Sequence, residues 1–321
     1  MTTNRLIVGT RGSELALWQS KFIQSQLVQR YPDLTIELQP IKTLGDKILD
    51  SPLSKIGDKG LFTKEIEHAL LDARIDLAVH SLKDIPTNLP AGLAIGAVLE
   101  REDTRDVFIA HPRKPGQSFL SLPKGSKVAT GSLRRKCQLL SRRPDLHIVD
   151  IRGNLNTRTT KLEESDWAGM ILAFAGVKRL GWEATIAEIL PFDVMLPAVG
   201  QGALALEIRA DDRTISDLLK PLHHDATAFA VLGERAFLRE LEGGCQVPIG
   251  THGRIENGLF VLDALIGSLD GKRVIRGKIS GRPSDSEKLG ISLAVELYGK
   301  GGREILEEIR AEGTETAAAE S

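Results

Sequence analysis

What is scarce in this chain narrows it first. Only two of its 321 residues are cysteine, Cys137 and Cys245, and two cysteines do not make a disulfide framework. Aromatic residues are 4% of the composition, so the aromatic-interleaved basic surface of a single-strand nucleic-acid binder is missing. Lys plus Arg number 42 against 43 Asp plus Glu, and this balance gives no global field to gather nucleic acid. No apolar run approaches the roughly 18 residues that suggest a membrane span. Paired CxxC and HExxH spacings, a Walker A sequence and a strand-linked GxGxxG are all absent, which removes the common zinc and nucleotide signatures. The first apolar run, Leu6-Ile7-Val8, meets Gly9-Thr10-Arg11 at once and leaves no room for the core of a signal sequence. A cytoplasmic protein with no membrane or nucleic-acid partner is expected.

What is present is an alternation of short strands and amphipathic helices. Leu6 to Val8 predicts a strand, Ser13 an N-cap, and Leu17 to Leu27 a helix that Pro32 ends. Leu34, Ile36 and Leu38 alternate as a strand does, Gly45 to Gly60 has the composition of a mobile loop, and Phe62 to Leu71 is helical. Strands are predicted at Ile75 to Val79, Leu93 to Leu99, Val107 to Ala110, Lys127 to Thr130, Leu146 to Ile151 and Met170 to Ala173. The pattern argues for α/β units with largely parallel sheets covered on both faces. Ala203 to Ile208 predicts a further strand that returns to the first unit. From Ala226 a long helix precedes hairpin segments containing Asn257-Gly258 and Asp270-Gly271, and then a helix from Lys288 to Tyr298, the texture of a small α+β domain. Three domains are expected: residues 1–100 with 200–220, residues 101–199, and residues 221–321, with Glu312 to Ser321 frayed.

Chemistry concentrates at a few turns. Thr10-Arg11-Gly12-Ser13, Thr130-Gly131-Ser132-Leu133-Arg134-Arg135 and Ile151-Arg152-Gly153-Asn154, with Arg158 beyond, share one plan of strand, small cap residue, helix and arginine. Free N–H groups at helix starts together with guanidinium forks suit carboxylate or phosphate. A single such turn reads as a solvated surface arginine; three at the same relative place read as a site for a polyanion. Arg134 and Arg135 are neighbours, so they are expected on different helix faces and on different anions. Asp84, in His80-Ser81-Leu82-Lys83-Asp84, places a carboxylate in this cationic set, either as a stabiliser of positive charge or as a turn cap. His80 is read as structural. Cys245, in Gly243-Gly244-Cys245-Gln246-Val247-Pro248, stands in an uncrowded turn that can present a thiol, though a free cysteine also packs as a small hydrophobe. Cys137 is placed on the core side of a helix and has no role.

These motifs, with Gly60-Leu61-Phe62-Thr63-Lys64-Glu65, resemble those of the porphobilinogen deaminase family from Leu6 to about Leu306. The resemblance implies two domains like those of type II periplasmic binding proteins, with a cleft between them, plus a small α+β domain carrying the cysteine. It implies a transferase of tetrapyrrole biosynthesis. Such enzymes join four porphobilinogen molecules head to tail with loss of ammonia, and then hydrolyse off hydroxymethylbilane. They build on a dipyrromethane cofactor held by a thioether, here to Cys245. By the same resemblance Lys83, Asp84, Ser132, Arg134 and Arg135 hold that cofactor, Asp84 is catalytic, and Arg11, Ser13, Lys55, Lys59, Phe62, Arg152, Arg158 and Arg179 hold substrate and growing chain. The loop carrying Lys55 and Lys59 is implied to cover the cleft, and a monomer is implied. Phe174 departs from the small residues common at its place in the family, and the tail after Leu306 carries no family signature. A non-catalytic two-lobed binding protein for an anionic small molecule is the alternative.

Overall fold

The structure, a computed structural model, describes residues 5–47, 60–242 and 247–319, and side chains through 312. Four strands form first, β1 (Arg5–Thr10), β2 (Thr35–Pro40), β3 (Leu77–Ser81) and β4 (Leu93–Val98), interleaved with helices α1 (Glu14–Arg30), α2 (Leu44–Lys47) and α3 (Lys64–Leu71). The chain then crosses into a second set: β5 (Asp106–Ala110), β6 (Lys127–Ala129), α4 (Leu133–Arg142), β7 (His147–Val149), α5 (Leu155–Glu164), β8 (Gly169–Ala173), α6 (Phe174–Arg179) and β9 (Ile186–Ile189). It returns through β10 (Leu204–Arg209), followed by α7 (Arg213–Leu219) and α8 (Asp225–Glu240).

Both five-stranded sheets repeat one plan, with orders β2-β1-β3-β10-β4 and β7-β6-β8-β5-β9. In each, four strands run in one direction and the strand that arrives by the crossover, β10 or β5, lies antiparallel between two of them. The fold is α/β, with two mixed sheets. Strand direction is what sequence periodicity did not carry. β5 and β8 are buried along their whole length, as a strand covered on both faces must be.

The chain groups into two compact units. One runs through Glu102 and resumes over Gly200–Ala228; the other takes Asp103–Val199 and Phe229 onward. In the first, one face of the sheet packs Leu6, Val8, Ile23, Leu27 and Leu206 together, and the other face packs α3 through Ile66 and Leu70. In the second, Phe108, Phe119 and Leu139 fill one side of the sheet and Val107, Met170 and Val177 the other.

The second unit also holds a three-stranded antiparallel sheet, β11 (Ile249–Glu256), β12 (Leu259–Gly267) and β13 (Val274–Gly281), with α9 (Ser286–Leu297) against it. β11 and β12 are joined by Asn257-Gly258 alone, both with positive φ (50° and 76°), which is the hairpin turn that this dipeptide favours. This sheet meets α4 at Cys137, which is fully buried; a Cβ on Gly267 would lie 2.2 Å from its sulfur. Burial, with Asp270 adding and Arg276 opposing, pushes the Cys137 thiol up to about 12, so it is an inert packing group.

The C-terminal expectation fails. The backbone is helical over α10 (Arg303–Ala319), because the Glu- and Ala-rich composition that reads as a frayed end is also that of a strong helix former. Arg310 ties this helix to the end of α8 through a hydrogen bond to the Leu241 carbonyl at 2.9 Å.

Candidate functional site

The three Arg-bearing turns all stand at carboxyl ends of parallel strands, and each begins a capped helix. Ser13 Oγ accepts from Ala16 N–H at 3.3 Å and starts α1 after β1. Ser132 Oγ accepts from Arg135 N–H at 3.4 Å and starts α4 after β6. Asn154 Oδ1 accepts from Thr157 N–H at 2.9 Å and starts α5 after β7. The first lies in the first unit, the other two in the second.

In the second unit β6 and β7 are neighbours, so their two turns touch. A Cβ on Gly131 would stand 2.6 Å from the Ile151 carbonyl oxygen and 3.1 Å from an Asp150 carboxylate oxygen. Gly131→Ala must therefore push the turns apart, at a cost of about 1–3 kcal/mol. A lower urea midpoint with an unchanged slope checks this; an unchanged midpoint would contradict the close approach.

Arg134 and Arg135 do not go to different anions. Asp106, the first residue of β5 and fully buried, takes both: Arg134 Nη1 donates to Oδ2 at 2.7 Å, and Arg135 Nη2 donates to Oδ1 at 2.8 Å. Adjacent residues point about 100° apart on a helix, but the guanidinium stems are long enough to close around one carboxylate at its N-terminus. Arg134 also donates to the Leu196 carbonyl at 2.6 Å and Arg135 to the Ile171 carbonyl at 2.9 Å. Burial raises the Asp106 carboxyl, yet the two arginines overcome it and hold the group well below the ordinary carboxylate range. Burial, opposed by Asp106, pulls the Arg134 guanidinium down. Two cations on one carboxylate leave this trio with a net positive charge.

Arg152 is buried, and desolvation, opposed by Asp150, lowers its guanidinium. Arg158 Nε donates to the Gly153 carbonyl at 2.9 Å, folding the side chain back over its own turn. Arg179 ends α6, which follows β8, the other neighbour of β6. Phe174, the first residue of this helix, packs partly buried with the cluster around Met170 and Val177.

In the first unit Arg11, Phe62 and Asp84 come together. The Arg11 guanidinium lies 4.2 Å from the Phe62 ring centroid, and its Nη1 is 3.8 Å from Asp84 Oδ2. Phe62 is thus a half-buried platform for a cation and not a core residue. Asp84 ends a 3₁₀ turn, Leu82–Asp84, whose buried Leu82 donates its N–H to the Ala203 carbonyl at 3.0 Å, so the segment entering β10 holds the backbone of this turn. Lys83 on the same turn is exposed. His80 Nε2 lies 3.1 Å from buried Glu207, a structural pairing as read from the sequence.

Cys245, Lys55 and Lys59 lie outside the described residues. The sequence reasoning missed two carboxylates, Asp46 on Arg11 and Asp106 on Arg134 and Arg135. Thr43-x-x-Asp46, a capping-box spacing, was a signal for the first; an acidic residue directly before the wholly apolar Val107 to Ala110 was one for the second. Among the described residues no group of three His, Cys, Asp or Glu could hold a metal ion, and no helix is long and apolar enough to cross a membrane.

Comparison with known proteins agrees with this chemistry. Residues 6–217 match the family model described as porphobilinogen deaminase, dipyromethane cofactor binding domain, and residues 228–299 match porphobilinogen deaminase, C-terminal domain. A porphobilinogen deaminase of Carboxydothermus hydrogenoformans is 55% identical over 310 residues, covering 97% of this chain and 99% of that one. One of Geobacter sulfurreducens is 52% identical over 309 residues, covering 96% of each. Among solved structures, the methionine binding protein MetQ aligns at 13% identity with a TM-score of 0.44, over 72% of this chain and 95% of that one. The chain belongs to the porphobilinogen deaminase family.

Proposed function

We propose that this chain is a hydroxymethylbilane synthase, a transferase that condenses porphobilinogen units head to tail on a dipyrromethane cofactor bound to Cys245. The observation that carries the reading is the net-positive Asp106–Arg134–Arg135 cluster at a capped helix start, within a family defined by a polycarboxylate cofactor. When bound, that cofactor supplies the nucleophilic pyrrole to which substrate is added.

The residues fit such a group. Each pyrrole carries an acetate and a propionate, so cofactor and lengthening chain gather negative charge that only a cationic lining holds without strong repulsion. Ser132, Arg134 and Arg135, with Lys83, supply donors for the cofactor carboxylates. Arg152, Arg158 and Arg179, with Arg11 and Ser13, supply donors for substrate and chain, Lys55 and Lys59 add to them, and the Phe62 ring backs the Arg11 guanidinium. Asp84 accepts from pyrrole N–H groups and stabilises the positive charge that develops on the substrate as ammonia leaves. Cys245 acts as an anchor, retained through turnover.

We keep three domains, since three sheets carry their own cores. The enzyme is assigned to the cytoplasm as a monomer that needs no nucleic acid. A non-catalytic binding protein for a small anion would not need Asp84 among the cations, nor a cysteine in a two-glycine turn.

Intact mass of the denatured protein tests the function. The wild type is expected to carry, or to acquire on incubation with porphobilinogen, an adduct of dipyrromethane mass that Cys245→Ser lacks. A wild type that acquires nothing and consumes no porphobilinogen would return the chain to the binding-protein alternative.

A further inference from the structure

Asp46 has no part in the function above, yet it grips the guanidinium given to substrate. Its carboxylate accepts from Arg11 Nε at 3.2 Å (Oδ1) and 3.3 Å (Oδ2), and from Arg11 Nη2. Thr43 fixes that carboxylate from the other side: its hydroxyl donates to Oδ2 at 2.8 Å and its backbone N–H at 3.4 Å. Thr43 is completely buried, so the clamp has a rigid base. Burial raises the Asp46 carboxyl, but Arg11 and Thr43 together outweigh it and hold the group below the ordinary carboxylate range. Asp46 is therefore an anion at neutral pH.

Nε and Nη2 form the side-on edge, one of the two through which arginine takes a carboxylate with two parallel bonds. Asp46 fills that edge and Phe62 covers a face of the guanidinium. What Asp46 leaves for a ligand is the Nη1/Nη2 end of Arg11, whose Nη1 is 3.8 Å from Asp84.

We propose that Asp46 is a positioning residue: by occupying the side-on edge of Arg11 it makes a substrate carboxylate meet the Nη1/Nη2 end, so that the reacting part of the substrate lies against Asp84. This rests on the deaminase function. Without Asp46 the side-on edge is open as well, and substrate carboxylate held there loses its register with Asp84. Binding then improves or holds while turnover falls, a split that general damage to an anion site does not produce.

Steady-state kinetics with porphobilinogen, on adduct-bearing wild type, Asp46→Asn, Asp46→Glu and Thr43→Val, test this. Asparagine keeps the shape but loses the charge; its kcat is expected to fall by about tenfold or more with KM unchanged or lower. Glutamate reaches the same edge and recovers most of kcat. Thr43→Val, which frees the carboxylate without removing it, shows the same split in smaller measure, and decides the question should Asp46→Asn fail to fold. A KM that rises while kcat holds, or parameters that do not change, would overturn the proposal. A loaded, active wild type beside an indifferent Asp46→Asn sinks only this inference, whereas a wild type without adduct or turnover sinks the function itself.

Discussion

Asp84→Asn is expected to melt like the wild type and to lose about three orders of magnitude in kcat, measured on the adduct-bearing fraction. Fold is spared because the turn is held by its backbone, through Leu82 and Ala203, and not by the carboxylate. The loss in rate has two parts. An amide oxygen keeps the hydrogen bond to a pyrrole N–H but gives up the full negative charge that faces a developing cation. The Arg11 guanidinium, 3.8 Å away, is then no longer offset by Asp84 and repels that same cation. Asp84→Glu, which keeps charge and moves it by one methylene, should fall between the two. A kcat for Asp84→Asn within about threefold of wild type would reduce Asp84 to an ion-pair partner of Arg11.

How much of this could be read before the structure depended on the range of each interaction. Ser13 as a cap, the end of α1 before Pro32, the Asn257-Gly258 hairpin and a strand over Ala203 to Ile208 are settled within a few residues or by one continuous pattern, and they stand as read, while the return of that strand to the first sheet matches what the family resemblance implied. The antiparallel course of β5 and β10 was not legible, because alternation and burial say which face a strand buries and nothing of its direction. Arginines at helix starts were visible as residue types, so the cationic character of the site was as well. Their carboxylate partners were not: Asp46 and Asp106 lie 35 and 28 positions from the arginines they bind. The tail misled for a different cause, since a polar, small-residue end satisfies both a frayed chain and a helix.

Asp106→Asn is expected to cost about 3–5 kcal/mol and to lower the melting temperature by about 10 °C. The cost comes from what remains: two guanidinium groups, with side chains 6% and 7% exposed, whose shared counter-charge has gone. Its pH dependence follows from the sign of the shift. Because the folded Asp106 carboxyl sits well below its unfolded value, its contribution is full above the ordinary carboxylate range and is lost only as pH falls through the depressed value. The gap between wild type and variant should therefore be flat from about pH 8 to pH 5 and close only in stronger acid. A buried ion cluster is a poor stabiliser compared with apolar side chains of the same volume, so stability alone does not account for it. Replacing all three together, Asp106→Leu with Arg134→Met and Arg135→Met, should regain most of the stability lost by Asp106→Asn and yet fail to acquire the cofactor adduct. A triple variant as unstable as Asp106→Asn, or one that loads like the wild type, would show that the cluster serves the fold and not the polycarboxylate.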